Sequence, residues 1–239
     1  MKASEFAEYW RKDIGKCPDG YSGEGPCNPN WVHPTCIAEV NGVADWVAPD
    51  FFYSKNQRWQ GVGMIGLIGD YILYYTQGDI LELGVGTSSL YLSALARKYY
   101  RVIYHFDADS AKFVHGVATG KHFNHDANIF LGLTDDLFAK NKLTPLALVL
   151  VDACHEYEQA KRDFWNSEQY VVEDGFLLLH DTYPPSEEAT KNNMCWDCYK
   201  LRQDLEKDRR FDVLSFPNPG QLGFTLVRKK PKVRPYYQE

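Results

Sequence analysis

Short apolar runs alternate along the chain with segments whose apolar positions recur every three to four residues. From Asp79 the runs are DILEL (79–83), RVIYHF (101–106), NIFLGL (128–133), LALVLV (146–151) and FLLLH (176–180). Helical spacing fills the intervals, over about 87–98, 110–117, 134–141, 156–172 and 194–207, and a mostly apolar helix precedes them at 62–76. Over 156–172, Tyr157, Ala160, Phe164 and Val171 fall on one 3.6-residue face. Short apolar strands separated by helices predict βαβ crossovers and a parallel sheet covered on both faces. The last two runs differ. FDVLSF (211–216) and LGFTLV (222–227) are joined by PNPGQ, which is too short for a crossover and predicts an antiparallel hairpin. The expected fold is α/β: a doubly wound, seven-stranded, mostly parallel sheet ending in a C-terminal antiparallel hairpin.

Composition narrows the class. The 239 residues suffice for one large domain with a core, and 44% hydrophobic with 24% charged residues is an ordinary globular mix. The division expected is a cap over 1–60, a main domain over 61–230 and a tail over 231–239. The first residues, MKASEFAEYWRKDIG, lack the apolar core of a signal peptide; Phe6, Trp10 and Ile14 recur as on a short amphipathic helix. No stretch approaches the roughly 20 apolar residues of a membrane span. A cytoplasmic protein with no membrane partner is therefore expected. A net charge of −6 offers no field for nucleic acid, and the one basic run, RKKPKVRP (228–235), reads as a solvated tail. The six cysteines read as thiols. Cys17, Cys27, Cys36 and His33 lie in a Gly/Pro/Asn-rich loop whose spacings match no common zinc pattern. Cys195, Cys198, Leu201 and Leu205 share a helical face and read as core.

Candidate chemistry sits at strand ends. The first strand runs into ELGVGTSS, where Gly84 and Gly86 make a tight turn and a helix starts at Thr87 or Ser88. Amide N–H groups at such a start face a ligand. Glu82, two residues before the turn, repels a pyrophosphate and suits the cationic amino-acid end of S-adenosyl-L-methionine. Ser89 stands where a dinucleotide fingerprint has its third glycine. Asp107 closes the second strand, 23 residues after Gly84, where an acid accepts ribose hydroxyls; Asp109 is the alternative. Asp135, after the third strand, is expected near the adenine. Two further strands each deliver an acid and a histidine: Asp152 and His155 after the fourth, His180 and Asp181 after the fifth.

The segment DILELGVGTSSLYLSALA with a terminal hairpin resembles class I S-adenosylmethionine-dependent methyltransferases. LVDACHEYEQAKRDF, VVEDGFLLLHDTY and GQLGFTLVRK resemble, more narrowly, the metal-dependent macrocin/mycinamicin-type sugar O-methyltransferases, more distantly related to catechol O-methyltransferase. The resemblance spans about residues 62 to 230. It implies that Asp152 and Asp181 bind Mg²⁺ or Mn²⁺, that His155 is the base, and that His180 stands where several relatives carry an acid, which favours Mn²⁺. The expected activity is O-methylation of a hydroxyl on a small-molecule or glycan substrate, sugar first and phenolic or catechol second. A non-haem iron oxygenase using His155, His180 and one aspartate is the competing class. Monomer and homo-oligomer both stay open.

Overall fold

The computed structural model describes residues 57–86, 88–109, 127–191, 196–217 and 222–230. The expectations for residues 1–56, Thr87, a helix over 110–117, Cys195 and the tail past 230 lie outside the described residues. Helix α1 (Gln57–Tyr75) leads into β1 (Asp79–Leu83), α2 (Ser88–Tyr99), β2 (Ile103–Asp107), β3 (Ala127–Leu131) and α3 (Thr134–Lys140). Then come β4 (Leu146–Val151), α4 (Tyr157–Glu168), β5 (Val171–His180), α5 (Tyr199–Lys207), β6 (Phe211–Phe216) and β7 (Phe224–Lys229). The seven strands form one sheet in the order β3-β2-β1-β4-β5-β7-β6. β1 to β5 pair in parallel, and β7 runs antiparallel between β5 and β6. The order reverses between β1 and β4, which opens a crevice at the carboxyl ends of those strands.

Successive residues of the central strands are buried on opposite faces. Leu81, Leu83, Phe106, Val149, Val151, Leu177 and Leu179 pack with Phe164 of α4 and with Leu201 and Leu205 of α5. Ile80, Ile103, Leu148, Leu150 and Leu178 pack on the other face against Ile65, Ile72 and Leu73 of α1 and Leu92 and Leu95 of α2. Each such side chain contributes about 1.5–3 kcal/mol when taken out of water. No described helix is long and apolar enough to cross a membrane.

Several boundaries depart from expectation. β5 starts at Val171, not 176, and α4 stops at Glu168, so Val171 belongs to the strand and not to the helix face. Leu146 N–H donates to the Tyr170 carbonyl (2.9 Å), and Val171 pairs with Leu146. Gly175 then lies so close to β4 that a Cβ would stand 2.9 Å from the Leu146 carbonyl oxygen. α1 starts at Gln57, ahead of the helix start expected at 62.

A buried carboxyl ties α3 to α4. Asp163 Oδ1 accepts hydrogen bonds from Thr134 Oγ1 (2.5 Å) and Gln159 Nε2 (2.8 Å), while Oδ2 is buried without a partner. Burial pushes this carboxyl above its usual range, and the two hydrogen bonds oppose the shift only in part. The folded state therefore keeps the proton to higher pH than the unfolded chain. Stability from this group is complete below the unfolded value of about 3.9 and falls as pH rises through the folded value. Asp163→Asn keeps the acceptor and removes the charge. Its melting temperature is expected to fall less with rising pH than that of the wild type, and at pH 7 to equal or exceed it. A variant that melts lower at pH 7 with an unchanged pH slope would contradict this.

Candidate active site

β4 and β5 are parallel neighbours with Val151 opposite Leu179, so the residues that follow, Asp152 and His180, emerge side by side. His155 Nε2 lies 3.2 Å from Asp152 Oδ1 and 3.6 Å from Asp181 Oδ2. His180 Nδ1 lies 3.2 Å from Asp152 Oδ1 and 3.2 Å from Asp181 Oδ1. Two carboxylates and two imidazoles thus form one cluster. Asp181 is buried and takes a left-handed φ of 55°, uncommon for a residue other than glycine. The chain before and at the start of α5 holds this arrangement. The Cys198 thiol donates to the Asp181 carbonyl (3.1 Å), and Cys198 N–H donates to the His155 carbonyl (2.9 Å). Asp197 accepts the Tyr157 N–H at the start of α4 (2.7 Å), and Arg202 Nε donates to the Thr182 carbonyl (2.9 Å).

Charge balance sets the protonation of the cluster. Burial alone would raise Asp152, but the His180 charge and the hydrogen bond from His155 hold it well below the usual carboxylate range. Burial works to lower both imidazoles, and the carboxylates outweigh it: His155 is raised, and His180 is raised well above its ordinary value. Asp152, His155 and Asp181 each offer a ligand atom, all within 4.8 Å of one another. His180 Nδ1 is buried between the two carboxylates, yet its angles make no hydrogen bond. Oxygen pairs with imidazole nitrogen suit a divalent first-row cation, and the residues present fit one. His155, expected as the base, stands as close to the carboxylates as a ligand would.

The glycine turn lies against this cluster. Gly84 has a left-handed φ of 91°, and a Cβ there would stand 2.1 Å from the Asp152 carbonyl oxygen. Asp152 N–H in turn donates to the Leu83 carbonyl (2.8 Å). The three successive amides of the turn are all engaged within the protein. Gly84 N–H donates to the Phe106 carbonyl (2.8 Å), Val85 N–H to Asp107 Oδ2 (2.7 Å) and Gly86 N–H to Ser89 Oγ (3.0 Å). That is not the set of open donors a pyrophosphate needs. Asp107 therefore grips the turn, and its Oδ1 accepts the Asp109 N–H (2.7 Å). Glu82 is fully buried beneath the turn and accepts from Ser88 Oγ (2.5 Å), Ser89 Oγ (2.6 Å) and His105 Nδ1 (2.6 Å). Glu82 was expected to meet a ligand's cationic end; its carboxylate is taken up here by these three donors. Among the described residues, no atom beyond the chain neighbours lies within 4 Å of the point where a Gly86 Cβ would be. Asp135, on α3, is partnered by Arg162 Nε and Asn166 Nδ2 of α4 (3.2 Å each).

The sequence reading passed over His105 and took Cys198 only as core. An imidazole inside an apolar strand, two residues before Asp107, was the available signal for the first. Cys198 gave none, because its helical spacing with Leu201 and Leu205 is that of any core thiol, and it is indeed buried with them.

The architecture matches known proteins. Residues 81–182 match the family model described as a methyltransferase domain. That match takes in the glycine turn and the whole carboxylate–imidazole cluster. The SAH-bound methyltransferase PaMTH1 of Podospora anserina is similar in structure, with a TM-score of 0.58 at 17% identity over 95% of this chain and 95% of that one. Cofactor-bound Rv0187 from MTB gives 0.59 at 14% identity, over 82% of this chain and 90% of the other. An rRNA methylase from Streptococcus thermophilus gives 0.51 at 11% identity, over 70% and 96%. No curated protein matches the chain in sequence. These likenesses show the fold, a Rossmann-like methyltransferase fold.

The close contact at Gly84 predicts that a side chain there disturbs the cluster and not only the crevice. Gly84→Ala would meet both the Asp152 carbonyl and a left-handed φ, a cost of at least about 2 kcal/mol. The variant is expected to melt lower and to lose S-adenosylhomocysteine binding. Wild-type affinity for S-adenosylhomocysteine in the folded variant would contradict this.

Proposed function

We propose that the protein is a divalent-metal-dependent O-methyltransferase that moves a methyl group from S-adenosylmethionine to a hydroxyl of a sugar or glycan. The observation that carries this is the contact of the glycine turn with the Asp152–His155–His180–Asp181 cluster at the switch point of a methyltransferase fold. The turn's amides are closed to a pyrophosphate, and among the described residues nothing fills the space beside Gly86. The sugar acceptor rests on the resemblance carried by LVDACHEYEQAKRDF and VVEDGFLLLHDTY; a phenolic acceptor would use the same chemistry.

A bound divalent cation would lower the pKa of an acceptor hydroxyl. Asp152 and Asp181 would hold it, with His180 Nδ1 aimed between their oxygens. With the carboxylate charge offset by that cation, His155 would be neutral and would take the hydroxyl proton as the oxygen lone pair forms the O–CH₃ bond and the S–CH₃ bond of the donor breaks, leaving a neutral thioether. The buried left-handed turn at Asp181, clasped by Cys198, keeps the second carboxylate facing the first.

A methyl-transfer assay with labelled donor and panels of sugar and phenolic hydroxyls tests this. Transfer is expected to stop in EDTA and to return with Mn²⁺ or Mg²⁺, and Asp152→Ala and Asp181→Ala are expected to be inactive. His155→Ala should lower kcat by about 10²- to 10⁴-fold with little change in the KM for the donor. His180→Ala should recover in part at higher metal concentration, and His155→Ala should not. Full transfer in EDTA, or a His155→Ala enzyme with wild-type kcat, would contradict the assignment.

A further inference from the structure

The buried Glu82–His105 pair is left over from the chemistry above. Glu82 and His105 are register partners on β1 and β2. Their strand neighbours Ile80 and Ile103 belong to the apolar face that packs on α1 and α2. Both side chains are fully buried. An apolar pair at this place would continue the face, and such replacements commonly hold a fold as well or better. Stability therefore does not account for the pair.

Its connections do. His105 Nδ1 is 2.6 Å from Glu82 Oε2, and since a carboxylate accepts, Nδ1 carries the hydrogen. His105 Nε2 is 3.4 Å from Ser93 Oγ on α2. The Ser89 hydroxyl donates to the same Oε2 and accepts the Gly86 N–H, while the Ser88 hydroxyl donates to Oε1. A continuous chain thus runs from imidazole to carboxylate to hydroxyl to turn amide. Three successive residues of β2 hold three successive residues of the turn. Phe106 takes Gly84, Asp107 takes Val85, and His105 takes Gly86 through Glu82 and Ser89.

We propose that His105 is a positioning residue for the cofactor turn, acting through Glu82 and Ser89 on Gly86; this rests on the methyltransferase reading above. Without the Nδ1 donor, the Glu82 carboxylate is held by the Ser88 and Ser89 hydroxyls alone, Ser89 loses the acceptor that the imidazole fixed, and the anchor of the Gly86 amide loosens. Donor binding then suffers, while the metal cluster on β4 and β5 does not.

The test compares His105→Leu with His105→Asn, whose amide nitrogen falls where Nδ1 lies. Affinity for S-adenosylhomocysteine is measured by isothermal titration, Mn²⁺ binding by electron paramagnetic resonance, and folding by thermal melt. His105→Leu is expected to weaken S-adenosylhomocysteine by about tenfold or more, the order seen when the outer partner of a ligand group is removed. Its Mn²⁺ binding should stay unchanged, and His105→Asn should restore most of the lost affinity. Where His105→Leu does not fold, Ser89→Ala, which breaks the same chain one link later, is expected to show the same selective loss. Wild-type affinity in the folded variants overturns the proposal, as does a joint loss of both ligands that asparagine fails to restore. A wild-type protein that binds no S-adenosylhomocysteine overturns the methyltransferase reading and this proposal together.

Discussion

The absence of a side chain at Gly84 lets the end of β1 lie directly against the carbonyl of Asp152 at the end of β4. Everything in the crevice depends on that approach. It is reinforced by the Asp152 N–H donated to Leu83 and by the parallel register that sets Leu83 opposite Val151. A turn suited to an adenosyl donor and a cluster suited to a cation and a hydroxyl are thereby fused at one backbone contact. The chemistry inferred for the protein needs that proximity, because a methyl group must be delivered in line to an oxygen beside the cation.

The cluster is held in place from outside the parallel strands. Two carboxylates this close repel each other, and the imidazoles of His155 and His180 offset that charge. The geometry also needs a left-handed Asp181, which Cys198 and Arg202 secure through the carbonyls of Asp181 and Thr182. Cys198 reaches the His155 backbone as well, so the residues leading into α5 join the loops after β4 and β5. On the other half of the crevice β2 plays the matching part, with Phe106 and Asp107 bonded to the turn.

Much of the fold was legible because a sheet covered on both faces demands apolar residues at every position. LALVLV became β4 over the full predicted span, and DILEL became β1. The start of β5 was hidden because VVEDG carries exposed Glu173 and Asp174 on a stretch with irregular register to β4, and it reads like a helix end. At the site, Asp152, His155, His180 and Asp181 were legible since an ionisable residue ending an apolar strand has few structural reasons to be there. The true surroundings of Glu82 were not. Its partners come from the β1–β2 register and from the face α2 turns to the sheet, neither of which local spacing encodes. Asp135 was placed by its strand-end position, whereas its side chain answers to Arg162 and Asn166 across the α3–α4 contact.

Isothermal titration of S-adenosylhomocysteine and of Mn²⁺ into the same purified protein tests the central claim most directly. A single site built on the Gly84–Asp152 contact predicts saturable binding of each, one per chain, with both retained when the other is present. Absence of S-adenosylhomocysteine binding, or an iron-dependent absorption band without such binding, would contradict it and would favour an oxygenase using His155, His180 and one aspartate.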